Sequence, residues 1–172
     1  MLYRVAIIGD LPEYSKDYTS ESVRRKVDNI VDVISYQYGS DLVINAAGFP
    51  DVGVHVAKKC LEDTVKYHLF MPCPVDDMDK LFYTDQSNEI HDVFENSWAT
   101  TISSPKYTTQ LILHNYNYQN IVDNSAFIIC LWRGRKQGSI YSAILHALGS
   151  NKLIIDGTDD LKLMTKLKIY GE

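Results

Sequence analysis

Five stretches of the chain are apolar at nearly every position: Tyr3 to Ile8, Leu42 to Ala47, His68 to Met71, Ala126 to Trp132 and Lys152 to Ile155. Short continuous runs of this kind, bounded by Gly, Pro or Asp, are what strands covered on both faces of a parallel sheet look like. Between them the apolar positions recur at helical spacing. Val23, Val27, Ile30, Val31, Ile34 and Tyr38 form one stripe, with Thr19 or Ser20 as cap and Gly39 just past the end. Val56, Ala57 and Cys60 or Leu61 carry a second helix after the turn Gly48 to Gly53. Ile90, Val93, Phe94 and Trp98 predict a third from about Gln86 to Ser97, and Leu111, His114, Tyr118, Ile121 and Val122 a fourth from Tyr107 to Asp123. Ile140, Ala143, Ile144, Ala147 and Leu148 define the last, with Ser139 placed to cap it and Gly149 to end it. The alternation predicts one α/β domain over residues 1–172: a doubly wound, mostly parallel sheet of about five strands with helices on both faces. Trp98 and Thr100 to Pro105 read as an extended segment crossing the sheet as a lid. Thr158-Asp-Asp reads as the cap of a short helix with Leu161 and Met164, and Lys166 to Tyr170 as an edge strand.

Composition narrows the function classes. A chain of 172 residues with 45% hydrophobic residues buries one full core. A net charge of −5 argues against nucleic acid as a partner, because non-specific nucleic-acid surfaces are normally basic overall. No run approaches the length of a membrane span, and Met1-Leu-Tyr-Arg leads straight into a strand, so a cytoplasmic protein without a membrane partner is expected. Cys60, Cys73 and Cys130 lie in apolar segments without a CxxC pair and read as reduced core thiols, not as a metal site. The carboxylates Asp76, Asp77, Asp79, Asp85, Glu89, Asp92 and Glu95 read as a solvated face, since their spacing matches no calcium loop.

The candidate chemistry sits in loops at strand ends. Arg133-Gly-Arg-Lys-Gln-Gly138 follows a buried run and precedes a helix start at Ser139, the place where small anions bind in open α/β sheets. Gly9-Asp10 ends the first run, and Gly48-Phe-Pro-Asp51-Val-Gly53 ends the second. Such glycines are either plain connectors or points where backbone approaches a ligand. Tyr107, Tyr116 and Tyr118, with His114, Asn115 and Asn117, either pack with their polar tips in water or form a stacking platform for a base or sugar. No GxSxG, GxxxxGK[ST], HExxH or GxGxxG pattern is present.

Three of these elements resemble the SLOG superfamily in its YpsA-like branch. IIGDLP resembles the IxGxRP element, INAAGFPDVGVHVA the glycine-rich SGGAxGxDxxA loop, and IVDNSAFIICLWRGRKQGSIYSAI the IVDxSD helix end, strand and GSxxY helix start. Leu11, His55 and Phe127 depart from that pattern, and Ala143 stands near the place of the glutamate nucleophile of nucleoside deoxyribosyltransferases. The resemblance implies a Rossmann-like domain that binds a nucleotide or nucleotide-derived ligand at the carboxyl edge of its sheet; no cofactor is expected, and the resemblance, with the surplus apolar and aromatic positions on the helices around Tyr107 to Tyr118 and Gln86 to Trp98, points to a homodimer through helices. The ligand set would be Gly9, Asp10, Gly48, Asp51, Gly53, Arg133, Arg135, Gly138, Ser139 and Tyr141. The rival is an enzyme cleaving an N-glycosidic bond with Asp10 or Asp51 as its carboxylate. A third reading is a single-strand nucleic-acid binder using the same cleft with tyrosine stacking.

Overall fold

The computed structural model describes residues 1–10, 20–50, 52–80, 84–158 and 161–163. The chain runs β1 (Tyr3–Gly9), α1 (Ser20–Tyr38), β2 (Leu42–Ala47), α2 (Val52–Glu62), β3 (Lys66–Met71), α3 (Val75–Met78), α4 (Thr84–Glu95), β4 (Ala99–Ile102), α5 (Gln110–Asp123), β5 (Phe127–Leu131), α6 (Ser139–Gly149), β6 (Leu153–Asp156) and β7 (Lys162–Leu163). One sheet has the order β4-β3-β2-β1-β5-β6-β7. All neighbours pair in parallel except β7, which runs antiparallel to β6. The doubly wound α/β expectation therefore holds, with one more parallel strand and a short antiparallel edge.

The extra parallel strand is β4. Residues 99–102 do not cross the sheet as a lid: Thr101 is in register with Phe70, and the Ser103 N–H donates to the Met71 carbonyl at 2.8 Å. At the other edge, Lys162 and Leu163 lie in register with Asp156 and Ile155, where a helix was expected. Met164 and the expected strand Lys166 to Tyr170 lie outside the described residues.

Strand alternation divides the core in two. Val5 and Ile7 of β1 and Ile44 and Ala46 of β2 pack with Val23, Val27, Ile30 and Ile34 of α1, Val56 and Ala57 of α2 and Ile90 and Val93 of α4. Ala6 and Ile8 of β1 and Ile128 and Cys130 of β5 pack on the opposite face with Ile121 and Val122 of α5 and Ile140, Ala143, Ile144 and Ala147 of α6. All three cysteines are buried and free. Arg24 and Arg25 are exposed as expected, while Asp28 Oδ1 accepts from the His55 Nε2–H at 3.0 Å, joining α1 to α2. The carboxylates of α3 and α4 face water, apart from the half-buried Asp77. No helix of the described residues is long and apolar enough to cross a membrane.

The last helix ends differently from the sequence expectation. Gly149 is its final residue, and the left-handed position is Asn151, at φ 55°. The Lys152 N–H donates to Ala147 O at 2.9 Å and the Asn151 N–H to Leu148 O at 3.2 Å, a closed C-terminal hydrogen-bond pair that feeds the chain into β6.

One polar network lies on the sheet itself. Arg4 of β1 donates from Nη1 to Nδ1 of His68 on β3 at 2.9 Å, and its guanidinium lies 5.6 Å from the Trp98 ring centroid. Because Nδ1 accepts, Nε2 carries the ring proton and donates to Thr101 Oγ1 at 2.7 Å. Burial, reinforced by the Arg4 charge, pushes the His68 pKa down to about 4. In the unfolded chain it returns to the ordinary value near 6.5, so the unfolded state binds more protons between these two pH values. The contribution of neutral His68 is complete above about pH 6.5 and is lost as the pH falls toward 4. Urea unfolding from pH 7 to pH 4 should show a component of roughly 1–2 kcal/mol, after allowance for partial exposure, that disappears in His68→Gln.

Candidate functional site

In the strand order β2-β1-β5, the connection after β1 leads to α1 on one face and the connection after β5 leads to α6 on the other. The carboxyl ends of β1 and β5 thus form a topological switch point, where the loops part and leave a crevice. A cleft of about 260 Å³ lies there. Gly9 and Asp10 come to it from β1; Arg135, Gln137, Gly138, Ser139 and Ile140 from the loop after β5; Phe49 from the turn after β2; and Leu111, His114 and Tyr118 from α5.

Part of the cleft lining is the start of α6. Gly138 holds the chain at φ 91°, ψ −179°, a conformation essentially reserved for glycine, and directs the chain into α6. Ser139 is the first helical residue, not the cap; Gly138 occupies the cap position, and no side-chain hydrogen bond caps the first turn. The first N–H groups of α6 and the positive end of its dipole therefore border the cleft beside Arg135. The loop is braced by Trp132, whose indole N–H donates to the Arg135 carbonyl at 2.9 Å and whose ring stacks on Tyr141, with centroids 6.1 Å apart.

Another part of the lining is aromatic. Phe49 meets the His114 ring edge-on at 4.1 Å, and Tyr118 lies one turn further along α5. Burial lowers the pKa of His114 below the usual imidazole value, which favours a neutral ring at this wall. Asp10 follows β1, the strand between β2 and β5 in the sheet. It is 9% exposed, and Oδ2 accepts the Arg133 backbone N–H at 3.2 Å. Burial raises its pKa above the ordinary carboxyl range, opposed by the Arg133 hydrogen bond and by the charge of Arg135.

Of the residues singled out from sequence, Gly9, Asp10, Arg135, Gly138 and Ser139 line this cleft. Arg133 adjoins it through its backbone, and Tyr141 packs on Trp132. Gly48 and Gly53 are not among the lining residues. Gly48 lies against Met71 and Phe70, and Gly53 belongs to the first turn of α2, not to the preceding loop. Asp51 lies outside the described residues. Phe49, Leu111 and Ile140 were not foreseen as lining residues, and Gln137 only as part of the basic loop; an aromatic residue directly after a strand-end glycine was the available signal for Phe49.

No family model and no curated protein sequence matches the chain. Solved structures do. DNA processing protein A from Streptococcus pneumoniae superposes with a TM-score of 0.65 at 16% identity over 92% of this chain, which spans 54% of that protein, about half its length. DNA processing protein A from Helicobacter pylori, described with a single-stranded DNA binding mode, superposes at 0.63 with 18% identity over 92% of this chain and 71% of its own. The molybdenum cofactor carrier protein from Chlamydomonas reinhardtii gives 0.53 at 9% identity over 90% and 75%. At these identities the likeness establishes a shared Rossmann-like α/β fold. It also corrects the expectation drawn from net charge that nucleic acid is not a partner, because a structural neighbour of this fold is a single-stranded DNA binder. The charge sum failed because it is dominated by solvated carboxylates on α3 and α4, at the β3–β4 side of the sheet, whereas the basic loop follows β5.

Proposed function

We propose that the chain binds a nucleotide unit in this cleft, with the phosphate at the start of α6 and the base against Phe49, His114 and Tyr118. The observation that carries this reading is the pairing, within one crevice at the switch point, of an anion-receiving helix start with an aromatic wall. A volume of about 260 Å³ suits one unit and not a dinucleotide, being at the lower edge of small-ligand pockets. The unit is either a free nucleotide or one link of a single strand. The likeness to the Helicobacter pylori protein, described with a single-stranded DNA binding mode, supports the second form, and a buried carboxylate in the lining, an acceptor for free sugar hydroxyls, supports the first. The strand-end elements IIGDLP and GRKQGSIY support placing the chain with the SLOG superfamily and its YpsA-like branch. Asp10 in the cleft keeps N-glycosidic cleavage as the second reading.

Titration calorimetry with the common nucleoside 5′-monophosphates, and fluorescence anisotropy with short single-stranded oligonucleotides, test the proposal at 50 and 200 mM salt. Saturable binding that weakens with salt is expected in at least one series, since the phosphate end is electrostatic. Tight oligonucleotides with silent mononucleotides would assign the strand, and the reverse would assign the free ligand. Silence in both series would end the reading. Release of free base during the titrations would move the function to glycosidic cleavage.

A further inference from the structure

Resting on the free-nucleotide form of that reading, we infer that Asp10 is the sugar-reading residue of the cleft and makes it selective for ribose over deoxyribose. The strands fix the order of the subsites. Phe49 follows β2, Asp10 follows β1, and Gly138 with Ser139 follows β5, and these three strands are consecutive in the sheet. Adjacent strands lie about 4.8 Å apart, so the step from the aromatic wall to the α6 start is roughly 10 Å, with Asp10 near its midpoint. A nucleoside monophosphate laid along this line puts its base on the wall, its phosphate at α6 and its sugar over Asp10.

The chemistry of the carboxylate agrees with that placement. An anionic acceptor beside a phosphate site repels a second phosphate and rewards a hydrogen-bond donor. The Arg133 N–H pins Oδ2, which orients the carboxyl group relative to the cleft floor. Between base and phosphate, the donors that a nucleotide offers are its sugar hydroxyls. Vicinal 2′ and 3′ hydroxyls can both donate to one carboxylate, whereas a deoxyribose unit leaves part of a buried, charged acceptor unsatisfied, a loss that costs more than the bond itself is worth in water.

Calorimetry with adenosine, guanosine, cytidine and uridine 5′-monophosphates and their 2′-deoxy counterparts decides the matter. The wild-type protein should bind the ribo form about tenfold more tightly for the base it prefers. In Asp10→Asn the ratio should collapse to about twofold or less. That variant should melt no lower than wild type, because removing a buried charge relieves desolvation. Arg135→Ala should weaken both forms and keep their ratio. Equal or tighter binding of the deoxy forms by wild type would overturn the sugar assignment while leaving the cleft as a nucleotide site. Binding of neither series would overturn the sugar assignment, and silence toward single-stranded oligonucleotides as well would overturn the site.

Discussion

Gly53→Ala is expected to destabilise the fold by about 3 kcal/mol, the upper part of the range for overpacking a close-packed core. A Cβ built at Gly53 would stand 2.0 Å from the Ala47 carbonyl oxygen and 2.8 Å from its carbon, and both are backbone atoms of β2 that cannot turn aside. The first turn of α2 would have to lift off the strand, and Val52, Val54 and Val56, each no more than 2% exposed, would lift with it. Gly149→Ala is the matched control. Its Cβ meets nothing within 4 Å and its backbone is helical, so the substitution should be neutral or stabilising by about 0.5–1 kcal/mol. Chemical denaturation of the two variants beside wild type measures the contrast, and equal midpoints would show that α2 has room that the close approach denies.

The second large effect concerns the loop before α6. Gly138→Val should abolish nucleotide binding, and Arg135→Ala should reduce it by about 1.5–3 kcal/mol if the charged contact is shielded from water. Valine at φ 91° carries a backbone strain of about 1–3 kcal/mol, and it also places a branched side chain at the entry to the helix. The space around a Cβ at Gly138 is open, so core packing is untouched and the effect belongs to the loop. Calorimetry on the three proteins at two salt concentrations should show wild-type affinity falling with salt and no heat from Gly138→Val. Equal affinities throughout would mark the loop as a connector with solvated charges.

How much of this was legible in the sequence depends on how each element is covered. β1, β2 and β5 were visible because both faces are buried, which writes the strand as an unbroken apolar run. β4 was not: at the sheet edge its residues Ala99 to Ile102 alternate between half-buried and exposed, and two of the four are threonines. On α5 the expected stripe was displaced. Leu113, Asn117, Ile121 and Val122 are the buried positions, while Leu111 is 63% exposed at the cleft. The polar Asn117 broke the periodicity, and it is tolerated inside because its amide donates to the Phe70 carbonyl at 2.9 Å and its Oδ1 accepts from Ser103 at 2.6 Å. The α6 loop was readable from glycine and arginine at a strand end. The aromatic wall was only half readable: the sequence marked His114 and Tyr118 as a possible platform, but the turn containing Phe49 has no period to reveal its contact with that helix.

The parallel pairing of β1 with β5 also bears on how the molecule is made. Val5 pairs with Phe127, about 120 residues further along the chain, so one edge of the central strand has no partner until most of the polypeptide has been synthesised. Non-local pairings of this kind are slow to form, and an open apolar strand edge is exposed to intermolecular pairing in the meantime. The crevice lies between these same two strands and is therefore assembled late. A ligand that fills it binds only the closed form, and should raise the yield of refolding as well as the stability of the finished protein.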